Sequence, residues 1–515
     1  MVGLVVRTQG RIAAALLTLL LVAAACTGSD EPAAQDASPQ ASGTGTTVGE
    51  PVQLDVLVYN IEYGGDETTD EVIRQVDADI IGVLESYNRL PAIARETGYP
   101  YYNVGLQILS KYPIHEPSGA EGLYAYIEVQ PGFVVAFFNT HLDYVQYGPH
   151  QLLDGMPLAD VMTSEREVRT ASMHILIPDM ERLASEGFPV FLTGDFNTPS
   201  HEDYTEATVG TREGIDRPVP WPTTEALVEA GLYDTYRAIY PDPVAVPGIT
   251  KDNPDFRKGG FGDRIDYIFA GGPVATLDSQ LLGERGGADV DRAFKPWTSD
   301  HRAVLSTFEL TPVALPTTLS LTRRLLTEGQ ELTAYVNAPG HDEVELAIIP
   351  EGGSPSEPIQ TSTAQPSAEV ALETTTLEPG GYEVVMLDTG GGEIARNAFW
   401  VRSLEDDISL STDQATYTSG EPITVTWDDG PANRWDWIGF YEASAADPKV
   451  DDYLIWAYTG GHESGALPPQ VFGEMTFDED SQGGPRPLPP GEYRIHYLLT
   501  DQYKSAGFAD ITITD

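Results

Sequence analysis

The sequence predicts a mixed α/β domain followed by two all-β units, and three observations lead there. Between Pro51 and about Thr311, short and nearly all-apolar runs alternate with stretches of helical spacing. That is the pattern of a sheet covered on both faces by helices. After about Leu310 the helical spacing vanishes, and Thr, Val, Gly and Pro dominate with frequent alternation. Within this second half, landmarks recur in order: Gly329-Gln330-Glu331-Leu332-Thr333 answers Gly420-Glu421-Pro422-Ile423-Thr424, Leu346 to Pro350 answers Trp437 to Tyr441, and Leu377 to Tyr382 answers Leu488 to Tyr493. Two successive copies with Pro-Gly turns read as small immunoglobulin-like β-sandwiches, the second carrying an insertion within 443 to 487. In that setting Trp437, Phe440 and Tyr441 are expected in a sandwich core rather than on a binding face.

The elements follow in chain order. Arg7 and Arg11 precede an apolar run from Ile12 to Ala25 that ends in small residues before Cys26. This is the layout of a secretory signal peptide, and the run falls short of the ~20 residues that span a bilayer. Small residues before a lone Cys resemble a bacterial lipobox, so residues 1–26 are expected to be an export signal with Cys26 as the lipidated residue, plain secretion being the alternative. Residues 27–50 are small, polar and Pro/Gly-containing, the composition of a flexible tether. The α/β domain is expected over 51–312, with strands at 54–59, 80–84, 133–138, 189–192, 265–269 and 303–308. Helical spacing covers 71–77 and 164–186, with Pro178 expected to kink or divide the latter. The β-units take 313–403 and 404–515.

Composition narrows the function classes. The net charge is −50, from 29 Lys and Arg against 79 Asp and Glu. Such a surface repels polyanions and excludes tight non-specific nucleic-acid binding, which depends on neutralising phosphates with cations. It leaves phosphate chemistry open at one local site, because bound divalent ions reverse the local field. With Cys26 the only cysteine, no intramolecular disulfide can form, and the fold must rest on apolar cores.

Five segments of the α/β domain place acidic, Asn or His residues at the ends of apolar strands, where a rigid scaffold meets solvent. Asn60 ends the first strand and Glu85 the second, a carboxylate that calls for a partner such as a hard divalent cation or a basic side chain. His141 ends the third. Gly194-Asp195-Phe196-Asn197 follows the fourth, and Asp195 and Asn197, two apart in an extended segment, project to one side. One can orient water or accept a proton while the other donates to a phosphoryl oxygen. Asp266 and Asp300-His301 form the last pair, in which Asp266 would orient the His301 imidazole and Asp300 could ligate metal. A basic cluster, Lys251, Arg257, Lys258 and Arg264, runs into Asp266. It reads either as a phosphate-recognition loop or as a solvated polar loop. The stretch 142–163, with Tyr144 and Tyr147, reads as a lid or as surface elaboration.

Together with Ile108-Leu109-Ser110-Lys111-Tyr112-Pro113-Ile114, these motifs resemble, in this order, the endonuclease/exonuclease/phosphatase superfamily of pancreatic-deoxyribonuclease-like proteins. That group includes abasic-site endonucleases, inositol-polyphosphate phosphatases and sphingomyelinases. The resemblance covers about 52–310 and implies a four-layer α/β sandwich with two packed mixed sheets. It implies a metal centre at Glu85 with Asn60 and Asp300, Mg²⁺ being favoured over Mn²⁺ or Ca²⁺. His301 would be oriented by Asp266, Asp195 would orient or deprotonate water, and Asn197 and His141 would stabilise the phosphoryl group. Whether Asp195 or His301 takes the proton stays open. One departure is Leu84, where many members carry Gln, although the carboxylate beside it is present. The expected activity is metal-dependent hydrolysis of a phosphodiester or phosphomonoester of a small or lipid-derived substrate. The alternatives are an extracellular nuclease or an inactive surface-binding protein. Cell-surface or carbohydrate contact is expected of the β-units.

Overall fold

The computed structural model describes residues 47–515 apart from 121, 145, 213, 252–261, 404–407, 431–435, 446–447, 449–452, 460–470, 479–480, 484, 486 and 500–502. The signal and Cys26, most of the tether, and Arg257 and Lys258 lie outside the described residues. The last tether positions are tied in: Val48 bridges Val313, and the Gly49 amide donates to the Pro312 carbonyl.

Among the described residues, the first half builds two seven-stranded mixed sheets. In the first, Val52–Asn60 lies at the centre, parallel to Ile80–Leu84 and antiparallel to Ala303–Leu310. In the second, Phe133–His141 runs parallel to Val190–Asp195, which pairs antiparallel with Asp266–Gly271. Every residue of Ile80–Leu84, Val190–Asp195 and Asp266–Gly271 is buried. Continuous apolar runs are what a strand covered on both faces requires. Val56, Val58, Phe137, Phe191, Ile268 and Phe308 fill the layer between the sheets. Outside the first sheet, the helix Glu67–Val76 packs through Val72 and Ile73; outside the second, Ala171–Ser185 packs through Met173, Leu176 and Met180.

Sequence and structure differ at the long helical stretch. Pro178 sits inside Ala171–Ser185 without dividing it. The interruption falls earlier, at a single π turn, Arg166–Thr170, that follows the helix Leu158–Glu165. Glu165 and Arg169 pair there at 2.9 Å, both fully buried.

The second half is strand-rich. A three-stranded sheet (Thr318–Leu321, Leu332–Asn337, Ser367–Leu372) accompanies a five-stranded one, and the order recurs in a three-stranded and a six-stranded sheet further on. Phe440 joins the inner core of the last unit, whereas Trp437 and Tyr441 are buried in a separate aromatic cluster with Trp456 and Tyr458. The first β-unit is fastened to the α/β domain by a Glu116–Arg324 ion pair at 2.5 Å and by His115 stacked on Tyr335 at 4.0 Å.

Candidate active site

The strand register brings the functional residues to one end of both sheets. Asn60 lies opposite Leu84, one residue before Glu85. His141 pairs with Asp195, and Asp195 with Asp266. His301 precedes the strand whose Val304 pairs with Val58, which sets it beside Asn60. The sheets approach closely at this end. A Cβ on Gly82 would lie 2.0 Å from Thr193 Oγ1 and 2.5 Å from Asn139 Oδ1, so only glycine fits. Asn139, on the second sheet, sends its amide to the carbonyls of Leu106 at 3.0 Å and Val83 at 3.2 Å on the first.

Asn60 joins the two halves chemically. Its Nδ2 donates to Glu85 Oε1 and to Asp195 Oδ2, each at 3.0 Å, while its Oδ1 accepts the Glu62 amide at 3.0 Å. A backbone N–H can only donate, which fixes the orientation of the side chain. Asn60 Oδ1 thus faces the backbone while its amide spaces two carboxylates.

Glu85 accepts the Tyr63 amide at 3.0 Å and the Tyr87 hydroxyl at 3.3 Å on Oε2. Burial alone would raise its carboxyl, but His141, the hydrogen bonds from the Tyr63 amide and Asn60, and His301 outweigh it and hold Glu85 below the usual value. Asp195 is pushed up by burial, with Asp266 adding to the rise and His301 and His141 opposing it. Its Oδ1 accepts the Asn197 amide at 2.9 Å, and Asn197 Nδ2 lies 3.1 Å from His141 Nε2. His301 stands between carboxylates, Nδ1 2.9 Å from Asp266 Oδ2 and Nε2 3.5 Å from Asp195 Oδ2. Burial pulls its pKa down and Lys251 pulls the same way, yet Asp266 and Asp195 raise it to about 9.

The basic cluster divides. Lys251 enters the site, its ammonium paired with Asp300 and 3.0 Å from His301 Nε2. Arg264 does not, contrary to expectation. It is buried, with Nε 2.9 Å from Asp203 Oδ2, Nη1 2.5 Å from Asp234 Oδ2 and its guanidinium 4.8 Å from the centre of the Tyr267 ring. At 1% exposure and paired with two carboxylates, it braces the scaffold out of a substrate's reach. Tyr147 is likewise anchored, donating to Asp263 at 2.6 Å, so this part of 142–163 is tied to the scaffold.

Sequence reasoning missed Glu62 and Thr250. Glu62 Oε2 accepts the Asp300 amide at 2.9 Å. Thr250 Oγ1 accepts the amides of Ile265 at 3.0 Å and Asp266 at 3.1 Å. The spacing Asn60-x-Glu62 was the available signal for the first; nothing local marks the second.

The donor set fits a hard divalent cation. Glu62, Glu85 and Asp300 offer carboxylate oxygens, the ligands such ions prefer. The Glu62 carboxyl is pushed up by burial and then by the charges of Asp300 and Glu85, with the Asp300 amide and Lys251 opposing. This is like-charge crowding that a cation relieves. Among the described residues, Asp195, Asp266 and His301 place ligand atoms within 4.8 Å of one another. Both ring nitrogens of His301 already face carboxylates.

Two packed sheets carrying His–Asp pairs and a carboxylate cluster at one end define a metal-dependent phosphoric ester hydrolase. The model of the Endonuclease/Exonuclease/phosphatase family matches residues 57–301. The uncharacterized protein F14F9.5 of Caenorhabditis elegans is 31% identical over 281 residues, 48% of this chain and 87% of the worm protein. The chain belongs to the endonuclease/exonuclease/phosphatase family. Among solved structures, an endonuclease/exonuclease/phosphatase from Beutenbergia cavernae shows 17% identity over 68% of this chain and 99% of that one, with a TM-score of 0.32. An AP endonuclease from Archaeoglobus fulgidus shows 14% identity over 49% and 98%, with a TM-score of 0.34.

Proposed function

We propose that this chain is an exported, Mg²⁺-dependent phosphoesterase acting on a small or lipid-derived phosphate ester. The observation that carries the reading of the site is Asn60, whose one amide touches both Glu85 and Asp195. It locks the metal-side carboxylate to the water-side carboxylate at a fixed spacing.

In this reading Glu85, with Glu62 and Asp300, holds the cation, which when bound offsets the charge developing on the phosphoryl oxygens. Asp195, buried and held by the Asn60 and Asn197 amides, orients the attacking water and receives its proton. His141 and Asn197, in contact with each other, donate to the phosphoryl oxygens. His301, braced by Asp266, donates toward the phosphoryl group from the opposite side, and Lys251 adds a positive charge there. The acidic surface supports a small or neutral-bodied substrate over long polyanions. The Arg-rich start and the small residues before Cys26 support export with a lipid anchor. The recurring sheet order supports two immunoglobulin-like modules.

The test compares Mg²⁺-dependent hydrolysis of bis-p-nitrophenyl phosphate, sphingomyelin and plasmid DNA by the purified protein. Hydrolysis of either of the first two, lost in EDTA, supports the reading. Cleavage of DNA alone replaces it with a nuclease.

A further inference from the structure

Two tyrosines at the mouth of the site have no part in the chemistry above. Tyr63 is 78% exposed, although it follows a fully packed strand end. Its ring lies near-parallel to that of Tyr87, with centroids 6.4 Å apart and planes 22° from each other. Both residues adopt left-handed backbone conformations, Tyr63 at φ 48° and Tyr87 at φ 45°, which bulky side chains rarely take. Glu62, Glu85 and Asn197 do the same at φ 52°, 57° and 49°. These are five of the ten non-glycine left-handed residues among the described residues. Tyr63 and Tyr87 are also tied to it directly: the Tyr63 amide and the Tyr87 hydroxyl both donate to Glu85 Oε2. Arg89 fixes the loop between them, donating to the Gly64 carbonyl and pairing with Asp70 at 2.7 Å.

The Tyr63 ring thus packs against Tyr87 and is otherwise left in water close to Glu85. We propose that Tyr63 and Tyr87 form a ring-binding subsite that stacks a planar heterocycle, such as a nucleobase, carried by a small phosphate ester. Aromatic side chains hold bases in this way with little regard to base identity. The surface charge of −50 restricts the ligand to short esters rather than long nucleic acids. The inference rests on the phosphoesterase reading of the site and narrows its substrate class.

The test is calorimetric titration of the full chain with thymidine 5′-monophosphate and with glycerol 3-phosphate, both in Mg²⁺, alongside hydrolysis of bis-p-nitrophenyl phosphate. The nucleotide should bind the wild type roughly 10-fold more tightly or better, the scale of one stacked base. Tyr63→Ala should erase that advantage while leaving the glycerol 3-phosphate Kd in place, and Tyr63→Phe should restore it. Equal Kd values for the two probes in the wild type would overturn the proposal, as would an equal loss of both in Tyr63→Ala. A Tyr63→Ala defect confined to sphingomyelin vesicles would also overturn it, marking Tyr63 as a membrane contact instead. Nucleotide binding without any hydrolysis would leave the subsite standing and sink the phosphoesterase reading.

Discussion

Replacing Asp266 with Asn keeps the shape of the side chain that braces His301 and removes its charge. The gap between about 9 and the ordinary imidazole value of 6.5 corresponds to about 3 kcal/mol in favour of the protonated ring. Asp195 supplies part of this from 3.5 Å, and burial and Lys251 oppose it. Without the Asp266 charge, His301 should titrate at or below neutrality. The sign follows from linkage: a folded-state pKa above the unfolded one gives stability that is complete below 6.5 and is lost as pH rises through about 9. The stability cost of Asp266→Asn should therefore be greatest near pH 6 and shrink by up to about 3 kcal/mol near pH 10. Urea unfolding at both pH values, in EDTA, measures the difference, and NMR of the imidazole Cε1 protons locates the titration. A wild-type His301 that titrates at 6.5 or lower would refute the reasoning, as would a cost independent of pH.

Other substitutions separate chemistry from scaffold. Glu85→Ala and His301→Ala should each abolish hydrolysis with an unchanged circular dichroism spectrum, and EDTA should do the same to the wild type until Mg²⁺ is restored. Arg264→Leu should cost roughly 3–5 kcal/mol of stability, because Asp234 is left buried without its guanidinium partner and Asp203 keeps only Arg237; thermal unfolding reads the loss. Gly82→Ala forces a methyl group against Thr193 Oγ1, and overpacking of this kind costs about 1–3 kcal/mol. It should depress kcat as well, since the displaced sheets carry Glu85 and Asp195.

The strand ends were legible because a nearly all-apolar run that stops at Asn, Glu, His or Asp marks both an element and its functional tip. Asn60, Glu85, His141 and Asp195 were found in this way, as was the Asp266–His301 partnership. What escaped depends on approach across sheets. Glu62 reaches Asp300 only because its backbone turns into the left-handed region, which no periodicity reveals. Arg264 and Lys251 look alike in a basic stretch, yet one is walled in by Asp203 and Asp234 and the other faces Asp300. The acidic partners that decide their fates lie 30 to 61 positions away. Asn60 stands at the strand end where the sequence put it, but its orientation is set by one amide proton two residues on.

The Asn60 bridge also dictates when the molecule becomes reactive. Neither sheet alone holds a working set of groups, and Ser299 closes back on the Asn60 carbonyl across 239 positions of chain. A polypeptide still being synthesised has no competent centre until nearly the whole α/β domain has emerged and its halves have met. Phosphoester cleavage should thus stay silent until the two sheets meet, and the return of activity during refolding is a clock for that docking.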